Sequence, residues 1–110
     1  MSDPVQNESR RINRVERAVR EAVSSYLISG FKGTLKGLVT VTRVDVSTDL
    51  QKTRIHVSVL GSDEDRRVSF ENLHDYAVDI QNFIGREVKL RYCPRVTILE
   101  DRSNDGLTLS

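Results

Sequence analysis

The chain has 110 residues, 30% of them charged, a formal net charge of +1 and one cysteine. This length suits one domain with one hydrophobic core. A single cysteine excludes an internal disulfide and any CxxC-type metal cluster, and proteins of a reducing cytosol usually lack disulfides. No apolar run approaches the roughly 20 residues that span a bilayer, so a soluble cytoplasmic protein is predicted.

The first predicted element is an amphipathic helix that begins near Ser9, after a disordered lead at residues 1–8. Its apolar positions recur at spacings of three and four and form a core face. The opposite face and its flanks carry an arginine stripe, which consists of Arg10, Arg11, Arg14, Arg17 and Arg20. Contact with phosphates and a solvated surface helped by Glu16 and Glu21 explain this stripe about equally well.

A loop from Gly30 to Gly37 joins this helix to the first strand and contains Gly-x-x-Gly with a lysine inside. KH domains clamp RNA with such a loop, but theirs lies between two helices. Here the glycines follow a helix and precede a strand, so a helix end and a loop explain them. Lys32 and Lys36 remain candidate phosphate contacts.

The strongest β signal lies between Gly37 and Gly61, where two runs rich in Val, Ile and Thr predict a hairpin with its turn at residues 47–49. The valines of the first run change face half way along it. A change of phase of this kind predicts a β-bulge or a strong twist near Thr42 and Arg43.

The second strand alternates between apolar and polar residues, as in a sheet with one buried and one wet face. His56 falls on the polar side and is predicted to be an exposed strand residue. Because no second His or Cys stands at ligand spacing, no metal role is predicted for His56.

A second helical region is predicted from Ser62, a capping residue, to Ile84, with Gly85 as its end. The residues around Ser69 do not fit the periodicity of the rest, and Ser69 could cap a second helical start. A break is therefore predicted between about residues 66 and 72.

The last predicted strand follows Gly85 and alternates apolar residues with basic ones. Pro94 cannot donate to a β-ladder, so the strand is expected to lie at a sheet edge or to be interrupted there. Cys93 has no neighbouring base and is interpreted as a bystander rather than a nucleophile. Residues 102–110 are predicted to be a tail, which leaves residues 9–101 as the single domain.

This order of elements predicts an α+β fold of two layers, with a mixed three-stranded sheet and helices on one side of it. The open face of the sheet should carry a second group of cations: Lys52, Arg54, Lys89, Arg91 and Arg95, and Arg43 if the bulge turns it outward. The arginine stripe and this face are then expected on opposite sides of the domain, and the stripe with its adjacent loop is the favoured contact.

The sequence favours binding over catalysis. It has no glycine-rich phosphate loop that opens a helix, no paired carboxylates on an apolar background and no nucleophile with His and acid partners. No cofactor, metal or small-molecule substrate is therefore predicted. Arginine forks suit phosphate, so an RNA-binding module is the leading hypothesis. A protein-interaction module whose arginines are only solvated is the alternative, and a small enzyme is a distant third.

The hairpin, especially Val44-Asp45-Val46-Ser47-Thr48-Asp49-Leu50, resembles the signature hairpin of ribosome-binding factor A, a family of bacterial assembly factors of the small ribosomal subunit. Further matches agree in order and spacing: Arg11, Arg14-Val15, Ile84-Gly85, Pro94-Arg95-Val96, Asp101 and Ser103. The resemblance covers residues 9–107. Two family features differ: the Asp-Pro-Arg before the first strand is replaced around Gly33 to Lys36, and the Ala-x-Gly at the helix interruption is missing, since Asp79 follows Ala77.

The resemblance implies a KH-like fold of type II with an interrupted second helical region. It also implies binding to the small (30S) subunit and its 16S ribosomal RNA during late maturation, with roles in 5′-end processing and in growth in the cold, and no catalysis. A cytoplasmic monomer is expected. The RNA-binding residues predicted from these arguments are Arg10, Arg11, Arg14, Arg17, Arg20, Lys32, Lys36, Arg43, Lys89, Arg91 and Arg95.

Overall fold

A computed structural model describes residues 4–88 and 94–102 of the chain. The elements follow in the order α1 (Pro4–Ser29), β1 (Leu38–Val46), β2 (Lys52–Leu60), α2 (Asp63–Asp75), α3 (Ala77–Glu87) and β3 (Arg95–Glu100). The strands form one mixed sheet in the order β1-β2-β3, with β1 antiparallel and β3 parallel to the central β2. The predicted α+β fold, with a helix, two strands, an interrupted helix and a third strand, is confirmed.

One face of the sheet packs against all three helices. The core side chains that are most deeply buried come from α1, β2, α2 and α3: Val19, Val23, Ile55, Val57, Leu73, Ile80 and Ile84. Burial of each stabilises the fold by roughly 1.5–3 kcal/mol relative to an exposed side chain. Because these helices share one side, the opposite side of the sheet is an open face.

The predicted bulge is present in β1. The register shifts between Val41 and Arg43, so Thr42 is the extra residue. An extra residue restores the phase of the strand, and the valines before and after it, Val41 and Val44, are both buried. The bulge therefore allows a strand whose alternation breaks in the sequence to present one continuous apolar face.

Hydrogen bonds within the turn hold the hairpin closed. Ser47 N–H donates to Lys52 O (2.9 Å), and Leu50 N–H donates to Ser47 O (2.9 Å). Asp49 Oδ1 accepts from Ser47 Oγ (2.6 Å) and from Gln51 N–H (3.1 Å), and these bonds lower the pKa of Asp49. Leu50 adopts a left-handed conformation with φ of 60°, which is uncommon outside glycine, asparagine and aspartate.

Helix α1 begins at Pro4, before the predicted start at Ser9. Residues 4–8 are thus helical, and the prediction of a disordered lead is wrong for them. Proline is favoured at the first helical position because its fixed φ suits the helix and its missing N–H would have no partner there.

The interruption of the second helical region lies at Tyr76, so the prediction of a break between residues 66 and 72 is wrong. Tyr76 has φ of −102° and ψ of 18°. Its N–H still donates to Asn72 O (3.0 Å), and its carbonyl accepts from Ile80 N–H (3.0 Å). The chain thereby changes from α2 to α3 without leaving these groups unpaired. Ser69, the predicted second cap, lies inside α2 and is fully buried.

The predicted start of α2 is confirmed in detail, but its predicted end is wrong. Ser62 forms a capping box with Asp65, in which each side chain accepts from the other residue's N–H. Gly85 does not end the second helical region, because α3 continues to Glu87. A glycine inside a helix costs only about 1 kcal/mol, and burial of the neighbouring Ile84 offsets this cost.

Strand β3 begins directly after Pro94 and lies at an edge of the sheet, as predicted. Several predicted features lie outside the described residues: Lys89, Arg91, Cys93, Ser103 and most of the tail.

Candidate nucleic-acid interface

All five members of the arginine stripe, Arg10, Arg11, Arg14, Arg17 and Arg20, are exposed on α1. None of them forms an ion pair with a side chain that the structure describes. On α2, by contrast, Arg66 pairs with Asp63, and Arg67 pairs with Glu64 (2.5 Å) and Glu71 (3.0 Å). The arginines of α2 are therefore compensated by acids of the same helix, whereas the arginine stripe of α1 remains available to contact a ligand.

Glu16 forms no ion pair with an arginine of the stripe, as it would be expected to do if the stripe were only a solvated surface. Its Oε2 accepts a hydrogen bond from Val46 N–H at 2.8 Å, in a partly buried position. This N–H lies at the end of β1, an edge strand, so Glu16 fixes α1 against the sheet and satisfies an edge donor. Glu16, which lines the same groove as Arg17 and Arg20, thus has a structural role.

Three arginines from two elements line one groove. Arg17 and Arg20 of α1 face Arg43 of β1 across a groove of about 260 Å³, which we call the α1–β1 groove. Its lining consists of Asn13, Glu16, Arg17, Arg20, Thr42, Arg43 and Val44. The bulge places Arg43 at the sheet edge. Guanidinium groups gathered in this way suit a phosphate group, which they contact through parallel hydrogen bonds.

Arg43 also belongs to a small network on the open face. Asp45 Oδ2 lies 2.9 Å from Arg43 Nη2 and 3.0 Å from His56 Nε2. Burial raises the pKa of Asp45, but the hydrogen bonds from His56 and Arg43 outweigh burial and hold this pKa below its usual range. The prediction that His56 is exposed is wrong, because the side chain is 18% exposed and contacts Asp45.

A second groove lies on the open face, and three exposed cations contribute to it: Lys52, Arg54 and Arg95. Ser47, Thr97 and Asp45 also line it. We call this the open-face groove. Asp45 belongs to this groove and pairs with Arg43, which belongs to the α1–β1 groove. The two basic regions, expected on opposite sides of the domain, therefore meet at the β1 edge.

The loop cations do not join the arginine stripe. Arg20, the last member of the stripe, precedes Gly30 by ten residues, which correspond to about 15 Å along the helix axis. The loop backbone packs instead on α2: Lys36 N–H donates to Ser69 Oγ (2.8 Å), and Thr34 N–H donates to Asn72 Oδ1 (3.0 Å). Lys32 and Lys36 are exposed, and the loop that carries them packs against α2.

The conformation of this loop depends on a glycine where it enters β1. Gly37 has φ of 72°, and a Cβ there would lie 2.4 Å from Leu60 O. Glycine is thus required by both the backbone conformation and the close approach.

The glycines of the Gly-x-x-Gly, Gly30 and Gly33, are also closely packed, since a Cβ would lie 2.7 Å from the Tyr26 ring at Gly30 and 2.7 Å from the Phe31 ring at Gly33. Packing at a helix end and in a loop therefore explains these glycines without an RNA clamp.

Two cations that line the open-face groove, Lys52 and Arg54, were absent from the narrower set of predicted RNA-binding residues. Their positions in the alternating pattern of β2 had already placed them on the open face. The missing information was three-dimensional, because the groove forms only when β3 brings Arg95 beside β2.

Residues 4–88 and 94–102 contain neither a metal-binding cluster nor a membrane-spanning helix. No group of three or more His, Cys, Asp or Glu side chains there could hold a metal ion. No helix in the same ranges is both long and apolar enough to cross a membrane.

Comparison with known proteins gives consistent matches. The family model described as Ribosome-binding factor A matches residues 11–107. Ribosome-binding factor A of Bdellovibrio bacteriovorus is 41% identical over 98 residues, which cover 89% of this chain and 73% of that protein.

A crystal structure and a homology model fitted into an electron microscopy map also match the fold. The crystal structure of ribosome-binding factor A from Thermus thermophilus has a TM-score of 0.68 at 20% identity, over 81% of this chain and 94% of that one. A model of the Thermus thermophilus factor fitted into a cryo-electron microscopy map of a complex with the 30S subunit has a TM-score of 0.57 at 21% identity, over 83% of this chain and 91% of that one.

Proposed function

The chain belongs to the ribosome-binding factor A family, and from this premise we propose that it binds the small (30S) ribosomal subunit and its 16S ribosomal RNA during late maturation. The relative from Thermus thermophilus that was fitted into a map of a 30S complex supports the first part of this proposal. The proposal extends to 5′-end processing of the RNA and to growth in the cold. The protein acts as a cytoplasmic monomer without a cofactor.

The observation that carries the proposal is the difference between α1 and α2. Arg66 and Arg67 of α2 are paired with acids three or four positions away, as is common on solvated helices. The exposed arginines of α1 have no such partner among the described side chains. An unpaired cationic stripe beside a groove with a third arginine is suited to the closely spaced charges of an RNA backbone.

The mechanism proposed is recognition of shape and charge without a chemical step. Arginine contacts with phosphates supply affinity and fix orientation, but they do not read the base sequence. Specificity for the small subunit would then come from the spatial arrangement of phosphates in the folded RNA. The interaction of Glu16 with Val46 supports this role, because it fixes α1, and with it the arginines, relative to β1.

A charge-reversal variant tests the proposal directly. Changing Arg11, Arg14 and Arg17 to Glu should abolish co-sedimentation with small subunits. The matched control changes Arg67, Arg86 and Arg102 to Glu, which alters the net charge equally at exposed positions outside the stripe. Far-ultraviolet circular dichroism should show that both variants are folded. Equal binding by both variants would contradict the proposal.

Salt dependence and cellular distribution provide two further tests. Binding to ribosomal RNA should weaken with salt, with a log–log slope of about −0.7 to −0.9 per phosphate contact. In a sucrose gradient of cell extract, the protein should travel with free small subunits and not with complete ribosomes. An affinity that does not change with salt would argue against phosphate contacts.

One observation favours protein contact as a second candidate function. Leu38 and Leu60 are directly paired across β1 and β2 and are 61% and 42% exposed. An exposed apolar pair of this kind suits a protein partner. Under this alternative, changing both leucines to Lys would abolish binding to the small subunit, whereas the reversal of the arginine stripe would leave it unchanged.

A further inference from the structure

Two cations face each other across the open side of the sheet. Lys52 of β2 and Arg95 of β3 are direct neighbours in the parallel ladder. Arg54 lies two positions further along β2 on the same face, and all three side chains are exposed. Like charges that are directly opposed across strands destabilise a sheet. An arrangement that gathers three of them is unfavourable unless an anion compensates the charge.

Two acids lie near these cations, and neither forms an ion pair with them: Asp45 is opposite Arg54 in the β1–β2 ladder, and the charge of Lys52 helps to lower the pKa of Asp49. Among the residues that line the open-face groove, Asp45 is the only acid. Its Oδ2 already accepts hydrogen bonds within the network with Arg43 and His56. No ion pair joins Lys52, Arg54 or Arg95 to a side chain in residues 10–88 or 94–102. The groove therefore has three cations and one lining acid, which also pairs with Arg43, and a net positive charge remains when Asp49 is included.

Protection of the sheet edge accounts for only part of this arrangement. Charged side chains on edge strands hinder pairing with other chains, and β3 is an edge strand, so this role would explain Arg95. Lys52 and Arg54 lie on β2, whose two edges are paired with β1 and β3. Edge protection does not explain cations on the central strand, whereas an anionic ligand explains all three.

We propose that Lys52, Arg54 and Arg95 form a second site for RNA backbone phosphates, on the open face and separate from the α1–β1 groove. The groove has a volume of about 460 Å³, which lies within the usual range for ligand sites. The hydroxyl of Thr97, which lines the groove beside Arg54, is placed as an additional donor. This site rests on the proposed function and extends it, because it assigns RNA contact to a second surface.

The position of the two grooves also indicates the form of the RNA. The α1–β1 groove lies on the helix side of the β1 edge, and the open-face groove lies on the other side. An RNA that contacts both must turn around this edge. A single strand bends readily, whereas an A-form helix is stiff, so a continuous RNA segment that contacts both grooves is single-stranded at this edge. Backbone contacts suffice, because none of the residues that line either groove is a Phe, Tyr or Trp on which bases could stack.

A pair of matched variants tests this site. Lys52→Gln with Arg54→Gln removes two charges from the groove, and Arg67→Gln with Arg86→Gln removes two exposed charges elsewhere. The probe is a labelled single-stranded RNA of about 12 nucleotides. Loss of two phosphate contacts should reduce the salt slope by about 1.4 and the affinity on the order of 25-fold at 0.1 M monovalent salt. The control variant should bind like the natural chain.

The outcomes separate this proposal from the proposed function. If the groove variant and its control bind the RNA equally, the open-face site is wrong, even if reversal of the arginine stripe still abolishes binding to small subunits. If reversal of the stripe does not change binding to small subunits but the groove variant no longer binds the RNA, the proposed role of the stripe is wrong and the open-face site is supported.

A second probe distinguishes RNA from free phosphate. In an NMR titration of the natural chain, the RNA should shift the amide signals of Lys52, Arg54 and Arg95 at much lower concentration than inorganic phosphate does. If inorganic phosphate shifts them at equal or lower concentration, the site is one for free phosphate and the assignment to RNA is overturned.

Discussion

Thr42 and Asp101 are 59 positions apart in the chain, yet Thr42 Oγ1 lies 2.6 Å from Asp101 Oδ2. Thr42 is the extra residue of the β1 bulge, and Asp101 directly follows β3. Asp101 N–H also donates to Val57 O of the central strand (2.8 Å). Asp101 therefore ties the two edge strands together across β2. The hairpin and the final segment, which carry most of the family resemblance, meet at this contact.

Removal of the Thr42 hydroxyl should destabilise the domain. Thr42→Val keeps the shape of the side chain but deprives the Asp101 carboxylate of a donor, and a hydrogen bond to a charged group contributes about 1.5–3 kcal/mol. Thr42→Ser retains the hydroxyl and is the matched control. Urea denaturation should give a free energy of unfolding that falls for Thr42→Val by this amount and changes much less for Thr42→Ser.

A double-mutant cycle with Asp101→Ala tests whether the two residues act together. If the bond is real, the effects of Thr42→Val and Asp101→Ala on the free energy of unfolding should not add. Additivity within about 0.5 kcal/mol would show that Thr42 and Asp101 contribute independently.

The sequence was sufficient for features that depend on local pattern. The phase change in β1 predicted the bulge, and Ser62 with Asp65 predicted the start of α2, because alternation and capping are properties of neighbouring residues. The break at Tyr76 was misplaced for the opposite reason. Ser69 interrupts the apolar periodicity of α2 because its hydroxyl forms hydrogen bonds with the backbone of Lys36, 33 positions away. No rule based on neighbouring residues predicts such a distant partner.

The candidate interface shows the same limit. The arginine stripe could be predicted from helical spacing alone, because all five arginines lie on one helix. Its connection to Arg43 and the grouping of Lys52 with Arg95 depend on how α1 lies along β1 and on the register of β3. These relations follow from packing between elements, which the order of residues does not specify. His56 was misjudged in the same way, because its partner Asp45 is on another strand.

Ser69→Ala should loosen the loop between α1 and β1. Ser69 is fully buried, and its hydroxyl accepts from Lys36 N–H (2.8 Å) and donates to Lys36 O (2.9 Å). Alanine leaves both backbone groups without this partner, which should cost about 1–3 kcal/mol. Hydrogen exchange at the Lys36 amide should accelerate. Ser25→Ala, at an exposed helical serine, should leave this exchange rate unchanged. Unaltered exchange in Ser69→Ala would show that other contacts hold the loop.

Acidification should remove a stabilising contribution from Asp45. The pKa of Asp45 is lowered in the folded state, because hydrogen bonds from His56 and Arg43 outweigh the effect of burial. Between the folded and unfolded pKa values the unfolded state binds more protons, so stability falls as the pH falls. The contribution is complete above the unfolded pKa of about 3.9 and is lost as the pH drops through the lower folded value.

Asp45→Asn provides the measurement for this effect. The difference in free energy of unfolding between the natural chain and Asp45→Asn should be constant near neutral pH and should shrink below about pH 4. Asp49 also has a lowered pKa, but it is unchanged in both proteins and so largely cancels in this difference. A difference that stays constant throughout acid titration would mean that Asp45 has the same pKa in the folded and unfolded chains.

Arg17 and Arg43 should act on RNA as a pair, because they line the same groove from two elements. If both contact one phosphate, either Arg17→Gln or Arg43→Gln disrupts the same contact, and the double variant loses less affinity than the sum of the single losses. Fluorescence anisotropy with single-stranded RNA at fixed salt gives the four affinities of the cycle. Pairing Arg17→Gln with Arg86→Gln is the control, since Arg86 is an exposed residue of α3 outside the groove. Additive losses for Arg17 and Arg43 would show that the groove does not hold a shared phosphate.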